Sequence, residues 1–210
     1  MSQGFFDINM TDMKTVSFRP YRMTARAQST VATGERVMDA AVELFWERPT
    51  DQIALEEVAR RAGVTVQTVI RRFGGKDGLI AAAAERESQR VVQQRDRAAV
   101  GDVVGAVEVL VEHYEITGDR VLKLLGEQER NPGLREIADR GRALHRAWCA
   151  RVFAPALVGR DGVERQRRLA QLVTLCDVYT WKLLRRDAHL SRRQTTLALV
   201  ELLTPLMEEH

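Results

Sequence analysis

The sequence predicts an all-α fold in two parts, a small three-helix domain over residues 31–78 and a larger helical domain over 79–210, preceded by an extension over 1–30. Three observations predict it. Apolar residues recur at three-and-four spacing through most of the chain, no stretch alternates apolar and polar residues as a half-buried strand would, and the breaks fall at glycine, proline and asparagine. At 210 residues with 45% hydrophobic residues, the chain can bury a core without disulfide staples.

Residues 1–30 carry no sustained periodicity and place Pro20 among scattered polar residues. They are expected to form a flexible extension, made basic by Lys14, Arg19, Arg22 and Arg26. The first helix is expected to start at Thr33, whose hydroxyl can cap it, and to end near Arg48, because Pro49 disfavours continuation. Ala40, Ala41, Leu44 and Phe45 form its apolar face. Leu55, Val58, Ala59 and Ala62 make the stripe of a second, short helix; Gly63 supplies a positive φ; Val66, Val69, Ile70 and Phe73 repeat the stripe in a third helix that Thr65 can cap. Two short amphipathic helices joined by a turn of about three residues make a helix-turn-helix. Gly74 and Gly75 end the third helix, and Asp77 suits the first turn of the next.

The net charge of +3 is mild, but its distribution is directional. Every charged residue from Arg60 to Lys76 is basic (Arg60, Arg61, Arg71, Arg72, Lys76), whereas the first helix carries Glu35, Asp39, Glu43 and Glu47. Thr65, Val66, Gln67 and Thr68 stand at the start of the third helix, with Arg71 and Arg72 one turn on. A helix inserted in the major groove of double-stranded DNA needs that layout: donors for base edges and phosphates first, cations beside the backbone. Val66 can touch a thymine methyl or shield the helix start. Arg60 and Arg61 end the preceding helix and read as a solvated face. Lys76 opens a helix and can join its amides on one phosphate. In this setting the basic extension could follow the minor groove. A plain tail accounts for it equally, and Phe5, Phe6 and Phe18 could instead pack on a partner subunit.

From Thr33 to Leu79, about fifty residues, the chain resembles the DNA-binding domain of the TetR family of transcriptional repressors. The resemblance is carried by VMDAAVELF (Val37 to Phe45), LEEVARRAGV, and TVQTVIRRF followed by GGKDGLI, in that order. It implies DNA contact by Thr33, Thr65, Val66, Gln67, Thr68, Arg71, Arg72 and Lys76. Three positions depart from the family pattern. Ile70 stands where a tyrosine is common, Arg72 where a histidine is common, and Ala54 where a serine or threonine usually caps the second helix. Ile70 cannot donate a hydrogen bond, Arg72 adds charge, and the missing cap costs about 1 kcal/mol of local stability.

Beyond Leu79 the expected helices are 79–99, 102–117, 119–130, 133–157, 162–187 and 191–208, with breaks at Gly101, Gly118, Asn131 to Gly133, Gly159 to Gly162 and near Leu190. The 162–187 segment is apolar on more than one side, through Leu169, Leu172, Val173, Cys176, Tyr179, Leu183 and Leu184. The last helix has a similar excess in Leu197, Val200, Leu203, Leu206 and Met207. A monomer would leave this surplus in water, so Leu169, Leu172, Val173, Leu183, Leu197, Val200 and Leu203 are expected to line a homodimer interface, the arrangement the resemblance also implies. Two recognition helices related by a two-fold axis call for a near-palindromic operator.

The larger domain holds no glycine-rich phosphate loop, HExxH or serine in a nucleophile turn, so no catalytic residue, metal or cofactor is assigned. His113, His145, Glu127 and Asp177 could be drawn as an acid and base set, but nothing in the sequence fixes their geometry. The family resemblance implies a small-molecule effector of unknown identity. Its candidate pocket comprises His113, His145, Trp148, Cys176, Asp177, Tyr179 and Trp181, since aromatic rings with polar tips suit such a site, and Gly141 would leave room beside His145. Duller roles stay open: His145 as a satisfied core residue, Trp181 in the dimer interface, and the whole domain as a dock for a protein partner. Cys149 and Cys176 form no close-spaced metal motif and are expected to be buried thiols, with a redox pair as the alternative. No apolar run is long enough for a membrane span and no charged-then-apolar leader opens the chain, so a cytoplasmic location is expected.

Overall fold

The computed structural model describes residues 20–208, with side chains from Gln28 onward. Its elements are α1 (Pro20–Glu47), α2 (Leu55–Ala62), α3 (Val66–Phe73), α4 (Lys76–Arg95), α5 (Val103–Glu127), α6 (Pro132–Val152), α7 (Gly162–Leu175), α8 (Val178–Lys182) and α9 (Arg192–Glu208). Short 3-10 turns lie at Thr50–Gln52 and Ala154–Leu157, and a π-helical turn at Leu183–Asp187 continues α8. The fold is all-α, and no strand occurs among the described residues.

The helix-turn-helix forms for the reasons its residues give. Gly63 ends α2 in the left-handed region at φ 67°, and the Thr65 side chain accepts from the Thr68 amide at 3.2 Å to start α3. Ala54 caps α2 with no side-chain bond. Val37, Leu44, Val58, Val69 and Leu79 close the core of this unit, each at most 2% exposed. Ile70 is not in that core: it is 41% exposed, so the inward stripe of α3 is Val66, Val69 and Phe73.

Several boundaries differ from expectation. The first helix begins at Pro20, so Thr33 is no cap; its hydroxyl donates instead to the Ser29 carbonyl at 2.8 Å within α1. Proline is suited to the first position of a helix, where its missing N–H has no partner to lose. Residues 20–30 are therefore helical where little structure was expected; Lys14, Arg19, Phe5, Phe6 and Phe18 lie outside the described residues, as do the side chains of Arg22 and Arg26. No break occurs at 78/79. The helix α4 runs through it, with Leu79 in the first core and the following Ala98 in the second. Nor does Gly118 break a helix, since α5 continues to Glu127; a Cβ at Gly118 would lie 2.4 Å from the Trp181 ring, so the glycine makes room for the indole. The 162–187 segment is two helices, separated where the Asp177 carboxylate caps α8 by accepting from the Tyr179 amide at 2.9 Å.

The surplus apolar surface divides between inside and outside. Leu169, Leu172 and Leu203 are 8%, 0% and 0% exposed and belong to the core of the single chain, which corrects their assignment to an interface. Val173 and Val200 are half-buried against the same core. Leu183 and Leu197 face outward, joined by Tyr179, Leu202 and, on α5, Ile116.

Candidate nucleic-acid interface and effector site

The exposed face of the first unit is built from α3 and the N-terminal half of α1. Ser29, Thr30, Thr33, Thr68, Arg71 and Arg72 line a cleft of about 380 Å³ between them. Four hydroxyls and two guanidinium groups thus converge on one open space, the chemistry that a phosphate oxygen needs. The Arg72 guanidinium donates to the Thr30 carbonyl at 2.7 Å and lies over Gly34, where a Cβ would come within 2.3 Å of it. That bond positions Arg72 without neutralising it.

Electrostatics separate the arginines into two classes. Arg60 meets the Glu57 carboxylate at 2.7 Å, and Arg61 meets Glu47, Glu57 and Glu43. Hydrogen bonding to these partners, Glu57 for Arg60 and Glu47 for Arg61, raises both arginines further above their ordinary value. By contrast, no carboxylate lies within 4.0 Å of Arg71, Arg72 or Lys76 among the described residues. The free positive charge of the helix pair is therefore concentrated on α3 and the start of α4. Gln67 is exposed, Thr65 and Thr68 share a 3.0 Å hydroxyl contact, and Val66 is half-buried against the core, nearer a shield than a probe. The sequence reading missed Ser29 and Thr30, because it placed them outside the first helix.

In the larger domain, most of the candidate pocket residues come together, but not around a shared opening. His113 and His145 are 4% and 7% exposed, Trp148 is 6%, and Cys176 and Trp181 are fully buried. The Trp148 indole N–H donates to the Arg95 carbonyl at 3.1 Å and that of Trp181 to Glu115 at 3.2 Å, so Trp181 is a core residue of its own protomer and not an interface residue. Tyr179 is 52% exposed and stands outside the buried cluster; Gly141 is exposed and gives His145 no room. Asp177 is engaged as a helix cap and Glu127 bonds to Thr50 far from both histidines in sequence, so no acid and base set assembles.

At the centre of this core the His145 ring accepts at Nδ1 from the Arg95 guanidinium at 3.0 Å, which leaves Nε2 to face the Val173 carbonyl at 3.3 Å and the Cys149 sulfur at 3.8 Å. The neighbouring Cys176 thiol, with His145 and Arg95, holds the Cys149 thiol below its ordinary value, while Cys176 itself is driven up by Cys149 and by burial. Burial pushes His113 down to about 3, and the positive charge of the nearby Arg95 adds to it. Arg95 in this role was not legible beforehand, since an arginine in the last turn of a helix reads as solvated. Among the described residues no group of His, Cys, Asp and Glu is placed to hold a metal, and no helix is long and apolar enough to cross a membrane.

Comparison with known proteins agrees with this architecture. Residues 37–83 match the family of bacterial regulatory proteins, tetR family. An HTH-type transcriptional regulator of Mycobacterium tuberculosis is 32% identical over 85 residues, covering 40% of this chain and 42% of the relative, so that match spans less than half the relative's length. The HTH-type transcriptional repressor KstR of Mycolicibacterium smegmatis is 29% identical over 170 residues, 76% of this chain and 77% of that one. Among solved structures, a tetR-family transcriptional regulator from Streptomyces coelicolor shares the fold with a TM-score of 0.65 at 18% identity, over 83% of this chain and 80% of that one. Over residues 37–83, then, the chain carries the helix-turn-helix of the tetR family of bacterial regulatory proteins, and the helical domain behind it shares the fold of the solved regulator.

Proposed function

We propose that this chain is a dimeric transcription regulator that binds a near-palindromic DNA operator and is released from it by a small molecule held in the larger domain. The observation that carries the DNA-binding part is the contrast among the arginines. Arg60 and Arg61 are neutralised by carboxylates, whereas Arg71 and Arg72 stand unneutralised beside Thr33 and Thr68 on the exposed face of α3. The affinity of such a site is dominated by phosphate neutralisation, and its sequence preference by Gln67 and Thr68 at the base edges. Repression, as opposed to activation, is supported by the relative that is itself a transcriptional repressor.

Dimerisation is supported by the outward leucines. Tyr179 and Leu183 at 52% and 59% exposure, with Leu197, Leu202 and Ile116 at 50%, 47% and 62%, leave more apolar surface on α5, α8 and α9 than a monomer keeps in water. A two-fold pairing there sets the two α3 helices a fixed distance apart. Release then needs only a second conformation with another spacing, favoured by a ligand of differential affinity. The lever is α4, which starts behind α3 and ends in the core of the larger domain; Arg86 on it pairs with Glu35 and Asp39 of α1, both at 2.8 Å.

A second reading has an observation in its favour. The indoles of Trp148 and Trp181 are already satisfied inside the protein, as a domain that only dimerises or docks a protein partner would have them. Selection of purified protein against random duplex DNA at two salt concentrations tests the main reading. Enrichment of a palindrome is expected, and retention without enrichment would sink it.

A further inference from the structure

We infer that the buried end of α4 is a recognition site for the carboxylate of a small ligand with an apolar body, and that the Arg95 guanidinium is the group that binds it. This rests on the reading of the larger domain as a sensor. Arg95 is 7% exposed, and its side chain is a cationic guanidinium with donors only. Burying a cation is costly unless carboxylates and hydrogen bonds compensate it. Elsewhere in the chain they do: Arg86, whose side chain is 12% exposed, meets Glu35, Asp39 and Glu87 at 2.8, 2.8 and 3.2 Å. Arg95 is treated differently. Both leave Nε buried with no partner, but among the described residues no carboxylate lies within 4.0 Å of Arg95, and its Nη1 meets the neutral acceptor of the His145 ring at 3.0 Å.

The edge without a carboxylate has a shape. With Nη1 occupied by His145, the donors left over are those of the Nε and Nη2 side, the parallel pair that grips a carboxylate through both oxygens. The guanidinium lies 5.2 Å from the Trp148 ring centre and 6.0 Å from that of Tyr114, so the surroundings of a bound headgroup are aromatic and apolar. Few other groups offer a counter-charge. The Tyr114 hydroxyl donates to the Cys176 carbonyl at 3.1 Å, and the Cys149 thiol, which Arg95 helps hold below its ordinary value, contacts His145 and makes no hydrogen bond to Arg95, so it leaves the guanidinium edge without an acceptor. Because Arg95 occupies the last turn of α4, a ligand that seats against it acts on the helix whose other end supports α3.

The test uses the full chain. Binding is measured by calorimetry for straight-chain monocarboxylates from acetate to dodecanoate and for benzoate, each beside its neutral carboxamide, on the wild type and Arg95→Met. The expected result is that at least one carboxylate binds, its carboxamide binds at least tenfold more weakly, and Arg95→Met loses at least tenfold in affinity for the acid. Without ligand, Arg95→Met is expected to melt several degrees above the wild type, because a buried cation with no carboxylate partner is removed. Equal affinity for acid and amide, undiminished binding by Arg95→Met, or no carboxylate bound overturns the inference. A lower melting temperature for Arg95→Met also overturns it, because the guanidinium is then part of the unliganded core. Operator retention is followed in the same samples. Carboxylate binding that leaves DNA bound keeps the Arg95 site and removes the sensor reading instead.

Discussion

Glu127, at the end of α5, accepts two hydrogen bonds from Thr50, one from its backbone amide at 3.2 Å and one from its hydroxyl at 2.9 Å. One turn earlier, Lys123 donates to the carbonyls of Phe45 and, at 2.8 Å, Arg48. The loop between α1 and α2 is thus clasped by the larger domain, and Thr50 is 2% exposed. Glu127→Ala would strand both Thr50 donors in a dry site, at a cost of about 1–3 kcal/mol. Denaturant unfolding should register that loss, with faster amide exchange at residues 49–53. Stability equal to wild type would mean that water replaces the carboxylate and that the clasp is idle.

Arg71 and Arg72 are expected to behave alike toward salt and differently from Arg60. Each of the first two, changed to alanine, should lower operator affinity about tenfold and reduce the slope of log affinity against log salt by about one. Arg60→Ala should leave both quantities unaltered, since its charge is already spent on Glu57. Titrations at three salt concentrations separate the cases. A slope unchanged in Arg71→Ala and Arg72→Ala would remove α3 from the phosphate backbone.

The helix-turn-helix was legible in the sequence because its determinants are local: Gly63 and Thr65 set the turn, and Val58 and Val69 sit at helical spacing. What escaped the sequence depends on distant partners. Gly118 reads as a break until Trp181 is known to lie against it, and Arg95 reads as solvated until α6 is known to cover it with His145 and Trp148. Leu172 and Leu183 are equally apolar, yet only packing against α6 and α9 decides that the first is buried and the second exposed. The start of α1 was missed for another reason. Residues 20–30 contribute little to any apolar stripe, and a proline serves the first turn of a helix as well as it serves a loop.

Two glycines in the DNA-binding unit should respond oppositely to alanine. A Cβ at Gly78 would stand 1.9 Å from the Phe73 carbonyl oxygen, a backbone atom that cannot swing away, so Gly78→Ala must part α4 from the end of α3. About 3 kcal/mol of stability and most operator binding should go with it. At Gly34 the clash is with the mobile Arg72 guanidinium. There alanine gains up to about 1 kcal/mol of helix propensity while pushing Arg72 off the Thr30 carbonyl. Gly34→Ala should therefore melt no lower than wild type yet bind operator more weakly. A parallel fall in both quantities would show that Gly34 is needed for the fold alone.

His113 makes stability depend on pH in a direction its burial determines. Its folded value is about 3 against an ordinary 6.5, so between these limits the unfolded chain takes up a proton that the folded chain refuses. Stability from this residue is complete above about pH 6.5 and falls by about 1.4 kcal/mol per unit as the pH drops toward 3. Depressed carboxylates such as Glu115 add a dependence of the same sign, so the wild type must be compared with His113→Gln. Unfolding free energies of the two should run parallel from pH 7 to 8. They should converge on the wild type's side by roughly 2 kcal/mol between pH 6.5 and 5, as the wild type loses what the variant never had. Parallel curves over that whole range would mean that the folded protein admits the proton, through water or a shift of Gln94 and Thr117, which now flank the ring at 3.2 Å.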